Sequence, residues 1–188
     1  MTQAAALGLS VLAIALPACG GGGPADPVDP GTIEIPALPA SSPTDVGCTS
    51  LPAASEILAA INTIRATARS CGNTRYPAAA AVRWSTQLEA AAQAHSQDMA
   101  SQNYFDHTGL DGSTPSQRAR AQGYPSSFIG ENIAAGQQTL RATLEGWIES
   151  PGHCANLMSA DYQDMGLACA QNPAARYVTY WTLVAGAK

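Results

Sequence analysis

The chain carries almost no positive charge in its first third: no Lys or Arg precedes Arg65, and Lys188 is the one lysine among 188 residues. With a net charge of −5 it has no clustered basic stripe of the kind nucleic-acid backbones require, so nucleic acid is not expected as a partner. Long apolar runs are scarce as well. The run from Ala4 to Leu16 is too short to cross about 30 Å of hydrocarbon as a helix. The sequence lacks a Cys-x-x-Cys pair, a His-Glu-x-x-His helix and a Gly-x-Ser-x-Gly elbow. Those absences remove the usual local signatures of a zinc or redox site, a zinc protease and a serine hydrolase. Histidine is limited to His95, His107 and His153.

What is present reads as one exported domain with a leader. Hydrophobic residues make up 46% of the chain, ample for a single core. Residues 1–18 read as an export signal, and Leu16-Pro17-Ala18-Cys19 looks like a lipobox, which makes Cys19 the expected lipidation site. Residues 19–49 begin with Gly20 to Gly23 and continue rich in Pro, Gly and small polar residues, the composition of a tether that holds a domain off a membrane. The folded domain is expected over residues 50–187, monomeric, in the cell envelope: anchored at an outer membrane or in the periplasm, or secreted if Cys19 is incidental.

Apolar spacing predicts a first helix over about 53–69, with Ile57, Ile61, Ile64 and Ala68 inward and a stop at Cys71-Gly72-Asn73. A second helix over about 86–103 buries Leu88, Ala91, Ala92, His95 and Met99, with Thr86 and Glu89 as a capping box. Thr114-Pro115-Ser116-Gln117 opens a third, ended by Gly123; a fourth runs from about Thr139 to Glu149 and is terminated by Pro151-Gly152. Strands are expected at Phe128–Ala134, Asp164–Ala170 and Arg176–Ala185, the last pair a hairpin around Asn172-Pro173. The nearly continuous β-prone run from Tyr177 to Val184 suits a central strand covered on both faces. Helices followed by strands predict an α+β fold: a three-layer α–β–α sandwich around an antiparallel sheet. Trp84, Trp147 and Trp181 are read as core.

Setting Cys19 aside leaves Cys48, Cys71, Cys154 and Cys169, an even set in an exported chain, for which three pairings exist. Sequence proximity favours Cys48–Cys71 and Cys154–Cys169.

His95 lies on the apolar face of the second helix and reads as a hydrogen-bonded core residue, whereas His107 and His153 fall in segments expected to be loops at helix ends. Glu131, inside the apolar stretch around Gly130-Glu131-Asn132, needs a partner because a lone buried carboxylate is costly; a histidine would serve. Tyr104-Phe105-Asp106-His107, Gly130-Glu131-Asn132-Ile133-Ala134, Gly146-Trp147-Ile148-Glu149-Ser150-Pro151-Gly152-His153-Cys154-Ala155-Asn156-Leu157-Met158 and the Tyr177–Val184 strand occur in order over about residues 53–185. Together they resemble the CAP superfamily (cysteine-rich secretory proteins, antigen 5 and pathogenesis-related class-one proteins), in its bacterial exported branch. The resemblance implies an α–β–α sandwich with a surface cleft that carries two His and two Glu. His107, Glu131 and His153 match by motif. The family's second Glu falls at Ser150 here, with Glu149 one residue short, so Glu149 is a candidate only. Asn132 and Ser150 complete the expected polar cluster.

The function implied is a non-catalytic cleft module for a lipid, peptide or cell-envelope component, able to bind a divalent cation (Zn or Mg) through His107, His153 and Glu131. The alternatives are a metal-assisted hydrolase, a protease using Ser150 or Cys154, and a purely architectural His107–Glu131–His153 network.

Overall fold

A computed structural model describes residues 47–49 and 51–187. The export signal, Cys19 and most of the tether lie outside the described residues. Among the described residues five helices, α1 (Ala54–Arg65), α2 (Thr86–Gln102), α3 (Pro115–Ala121), α4 (Leu140–Glu149) and α5 (Pro151–Met158), accompany six strands. The strands are β1 (Arg69–Cys71), β2 (Thr74–Tyr76), β3 (Arg83–Trp84), β4 (Ile129–Ala135), β5 (Asp164–Gln171) and β6 (Thr179–Gly186). β3, β5, β6 and β4 form one sheet in that order, antiparallel except for the two-residue β3, which runs parallel to β5; β1 and β2 make a separate hairpin.

The sheet is sandwiched. On β5 and β6, Met165, Leu167, Cys169, Trp181, Leu183 and Ala185 face a core shared with α1, α4 and α5. The intervening Ala168, Ala170, Tyr180 and Val184 pack with α2 and its neighbours. This strict alternation, with β6 buried along its whole length, explains why β6 reads as a continuous apolar run. On the α2 side the strand residues are small. A Cβ on Gly166 would lie 2.1 Å from the backbone nitrogen of Glu89, so the helix can approach β5 this closely only because no side chain intervenes.

Several expected boundaries move. α1 stops at Arg65, and the residues that follow form β1, which turns at Gly72 (φ +61°) into β2. The Gly-Asn pair is therefore a hairpin turn rather than a helix stop. The N-cap of α2 is Ser85, whose hydroxyl accepts from Leu88 N–H; Glu89 instead accepts from the Trp84 indole at 2.8 Å. Trp84 is accordingly half-buried, while Trp147 and Trp181 are core. Pro151-Gly152 ends α4 and also opens α5, with proline in the first turn, where its missing N–H costs nothing. His153 is thus helical, a correction of the loop assignment. β6 begins at Thr179 because Val178 takes φ +67°.

The disulfides also differ from the expectation. Cys48 pairs with Cys169 and Cys71 with Cys154, so neither Cys48–Cys71 nor Cys154–Cys169 forms. One bond stitches the start of the described chain to β5; the other joins β1 to α5.

Candidate functional site

Among the described residues β4 is an edge strand, paired only with β6, and its open edge is closed by side chains. The Trp147 indole N–H donates to the Ile133 carbonyl at 3.0 Å and the Asn156 amide donates to the Glu131 carbonyl at 3.2 Å. These contacts occupy acceptors through which an unpaired edge recruits another strand. Alternation then sends Glu131 toward the α2–α3 layer and Asn132 toward α5.

Glu131 is buried, its side chain 2% exposed, and each carboxylate oxygen has a partner: Oε1 lies 2.8 Å from Nδ1 of His107 and Oε2 accepts from Arg118 at 2.8 Å. Arg118 comes from α3, and the same Nη2 donates to the His107 carbonyl (2.8 Å) while Nη1 donates to the Ser113 carbonyl (2.8 Å). One guanidinium therefore ties the buried carboxylate to both ends of the loop that follows His107. Nε2 of the wholly buried His95 lies 2.9 Å from the Asp106 carbonyl and 3.8 Å from Glu131 Oε1. A carbonyl accepts only, so this nitrogen of His95 carries the proton.

Paired with a guanidinium, the Glu131 carboxylate is an acceptor, and Nδ1 of His107 donates to it. The Nε2 edge of His107 remains for the cleft, on a side chain 50% exposed. The hydrogen bond to Glu131, aided by the charges of Glu131 and Asp106 and opposed by burial and Arg118, raises the His107 pKa above the ordinary imidazole value. His153 moves the other way, through burial first and then the neighbouring His107. Burial likewise lowers His95.

His107 and His153 line one open pocket of about 240 Å³ with Phe105, Asp106 and Ile133. His153 reaches it from the first turn of α5, which is held from behind. Its carbonyl accepts from the Asn132 amide at 3.0 Å, Asn132 in turn accepts from Asn156 at 3.0 Å, and the adjacent Cys154 is bonded to Cys71. Asn132, fully buried, thus acts as a strap rather than a cleft residue. Glu131 stands behind His107 and does not line the pocket; neither does Glu149, exposed on the last turn of α4. Ser150 is the joint between α4 and α5, its N–H bonded to the Gly146 carbonyl and its carbonyl to Cys154 N–H. Arg118, Phe105 and Ile133 were missed by the sequence reading. The one signal for Arg118 was that a buried carboxylate wants a permanent cation.

The family model of the cysteine-rich secretory protein (CAP) family matches residues 58–185. The chain belongs to that family. Among its relatives, the uncharacterized protein YkwD of Bacillus subtilis is 35% identical over 80 residues, covering 43% of this chain and 31% of YkwD. The membrane protein YlbC of the same organism is 32% identical over 88 residues, 47% of this chain and 25% of YlbC. The match thus spans less than a third of the length of either relative. An extracellular Bacillus anthracis protein containing an SCP domain superposes with a TM-score of 0.58 at 28% identity, over 71% of this chain and 40% of that one. An outer surface protein of Borrelia burgdorferi shares the fold, with a TM-score of 0.52 at 21% identity over 57% of this chain and 77% of that one. The paired cysteines fit a CAP domain that folds in an oxidising compartment. Among the described residues, no helix is long and apolar enough to cross a membrane.

A resident Zn or Mg ion does not fit the residues present. Among the described residues no group of three or more His, Cys, Asp and Glu side chains is arranged to hold a metal ion. Both oxygens of Glu131 are already engaged, and the Arg118 charge beside them opposes a second cation.

Proposed function

We propose that this domain is a non-catalytic cleft-binding module, carried outside the cytoplasm on a lipid anchor at Cys19, that takes part of a lipid, peptide or cell-envelope molecule into the His107–His153 pocket. The observation that carries this reading is the full engagement of Glu131. Its charge is spent on Arg118 and on fixing His107, so the cleft offers a fixed hydrogen-bonding imidazole, a second neutral imidazole, Asp106 and the apolar surfaces of Phe105 and Ile133. A few convergent polar groups on an apolar wall are what a binding pocket needs. At about 240 Å³ the pocket falls below the roughly 300–1,000 Å³ of sites that enclose a whole drug-sized ligand, so the ligand extends beyond it.

Hydrolysis finds less support. Cys154 is consumed in a disulfide, and among the described residues no hydroxyl is hydrogen-bonded to either cleft imidazole. Native mass spectrometry of the protein purified from an oxidising compartment tests the proposal. A noncovalent adduct is expected on the wild type, insensitive to EDTA and lost in a folded His107→Gln/His153→Gln variant. A wild type that stays free of adduct after incubation with palmitate, peptidoglycan fragments and a peptide mixture would refute it.

A further inference from the structure

Phe105 joins the pocket lining to a further aromatic surface. That ring, 42% exposed, packs edge-on against Tyr177 with centroids 5.8 Å apart, and Tyr177 packs edge-on against the buried Tyr180 at 6.1 Å. The Arg176 guanidinium lies over the outer face of Tyr177, 5.1 Å from the ring centroid. Arg176 is exposed, and among the described residues no carboxylate comes within ion-pair distance of it.

This ledge is held in place at some cost. Val178 adopts φ +67°, a left-handed conformation that a β-branched residue rarely tolerates, and Thr179 N–H closes a tight turn onto the Tyr177 carbonyl at 2.8 Å. On the other wall, Asn103 ends α2 at φ +55° and its side-chain oxygen accepts the Arg176 N–H at 2.7 Å. Two left-handed residues thus lock the Arg176 segment against the segment that bears Phe105 and His107. Strain of this kind costs on the order of 1–3 kcal/mol and collects at ligand clamps.

We propose that Arg176 and Tyr177 form a second subsite, continuous with the pocket across Phe105, that binds the free carboxylate of a short extended peptide whose apolar side chain fills the His107–His153 pocket. The proposal rests on the reading of that pocket as a binding cleft and names its ligand class. A peptide suits the sequence of surfaces better than an acyl chain does. Beyond the small pocket and Phe105 come the Tyr177 ring and a guanidinium rather than a continued greasy channel. Peptide residues also advance by about 3.3–3.6 Å each, so successive groups can meet pocket and ledge in turn. In a chain of net charge −5, an exposed Arg with no carboxylate within ion-pair distance among the described residues is a local site for an anion.

The test uses the full chain and acetylated peptides of one leucine followed by one, two or three alanines, each as free acid and as amide, titrated by calorimetry or NMR. The free acid of one length is expected to bind about fivefold more tightly than its amide, the size of one exposed ion pair. Arg176→Gln should abolish that difference, and Arg176→Lys should retain most of it. Equal binding of acid and amide at every length, or a preference that survives Arg176→Gln, overturns the proposal. So does an Arg176-dependent response to dodecanoate with none to the peptides. If no peptide binds while the wild type still carries the His107- and His153-dependent adduct, the ledge assignment fails and the cleft reading stands. If that adduct is missing too, both fall.

Discussion

Arg118→Met removes the one permanent cation from Glu131 with little change in side-chain length. The carboxylate is 2% exposed and the Arg118 side chain 10%, so water cannot substitute freely for the lost partner. Breaking a buried pair from one side costs about 3–5 kcal/mol; with His107 still bonded to the other oxygen, the lower end, about 3 kcal/mol, is expected. The loss should depend on pH. His107 has a raised folded-state pKa, so its bond to Glu131 contributes fully below the ordinary imidazole value of about 6.5 and fades as pH climbs through the higher folded value. With Arg118 gone, a force that lowers the His107 pKa is gone too, and Glu131 depends on imidazolium alone. Urea unfolding at pH 6 and pH 8.5 should therefore show a greater deficit at the higher pH. The Arg118→Met/Glu131→Gln double variant should be more stable than Arg118→Met itself, because it no longer buries a half-paired charge. A deficit under about 1 kcal/mol, an equal deficit at both pH values, or a double variant weaker than the single one would refute the reasoning.

Gly166→Ala should cost about 3 kcal/mol or more by thermal or urea unfolding, because the new Cβ meets α2 backbone rather than a movable side chain; a near-neutral result would mean that α2 packs less tightly than described. Replacing Cys71 and Cys154 by Ser should cost roughly 4 kcal/mol in the chain-entropy model for a loop closed over 83 residues. Non-reducing peptide mapping should recover Cys48–Cys169 and Cys71–Cys154, and recovery of either local pairing would contradict the fold.

The layers and most elements were legible because local pattern and tertiary environment agree. Leu88, Ala91, Ala92, His95 and Met99 share a face and are all buried, and Thr114 and Gln117 cap α3 reciprocally, as their spacing indicates. α5 was not legible, because proline marks both the end of one helix and the first turn of the next, and only the backbone after it distinguishes the two. The disulfides misled for an entropic reason. Loop closure grows only logarithmically, about 0.6 kcal/mol per doubling of length, so proximity is a weak discriminator, and packing brings Cys48 to Cys169 across 121 residues. At the site, Glu131 announced its need for a partner, and His107 answers half of it. The other half comes from Arg118, placed by a helix–strand contact that no local pattern encodes.

The two cleft imidazoles stand on differently anchored supports. His107 sits on a loop held by the Arg118–Glu131 ion pair, by the Arg118 bond to the His107 carbonyl and by the His95 hydrogen bond to the Asp106 carbonyl. His153 sits on a helix turn fixed by a disulfide and by the neutral Asn132 amide. A rise in pH therefore weakens the His107–Glu131 bond on one wall, whereas reduction acts on the opposite wall. A pocket with both walls held from behind spends little ordering entropy on its ligand, so even a small, shallow contact yields usable affinity. That consideration explains why so much buried polar structure (Glu131, Asn132, His95 and the Arg118 fork) lies beneath a pocket of about 240 Å³ lined by only Phe105, Asp106, His107, Ile133 and His153.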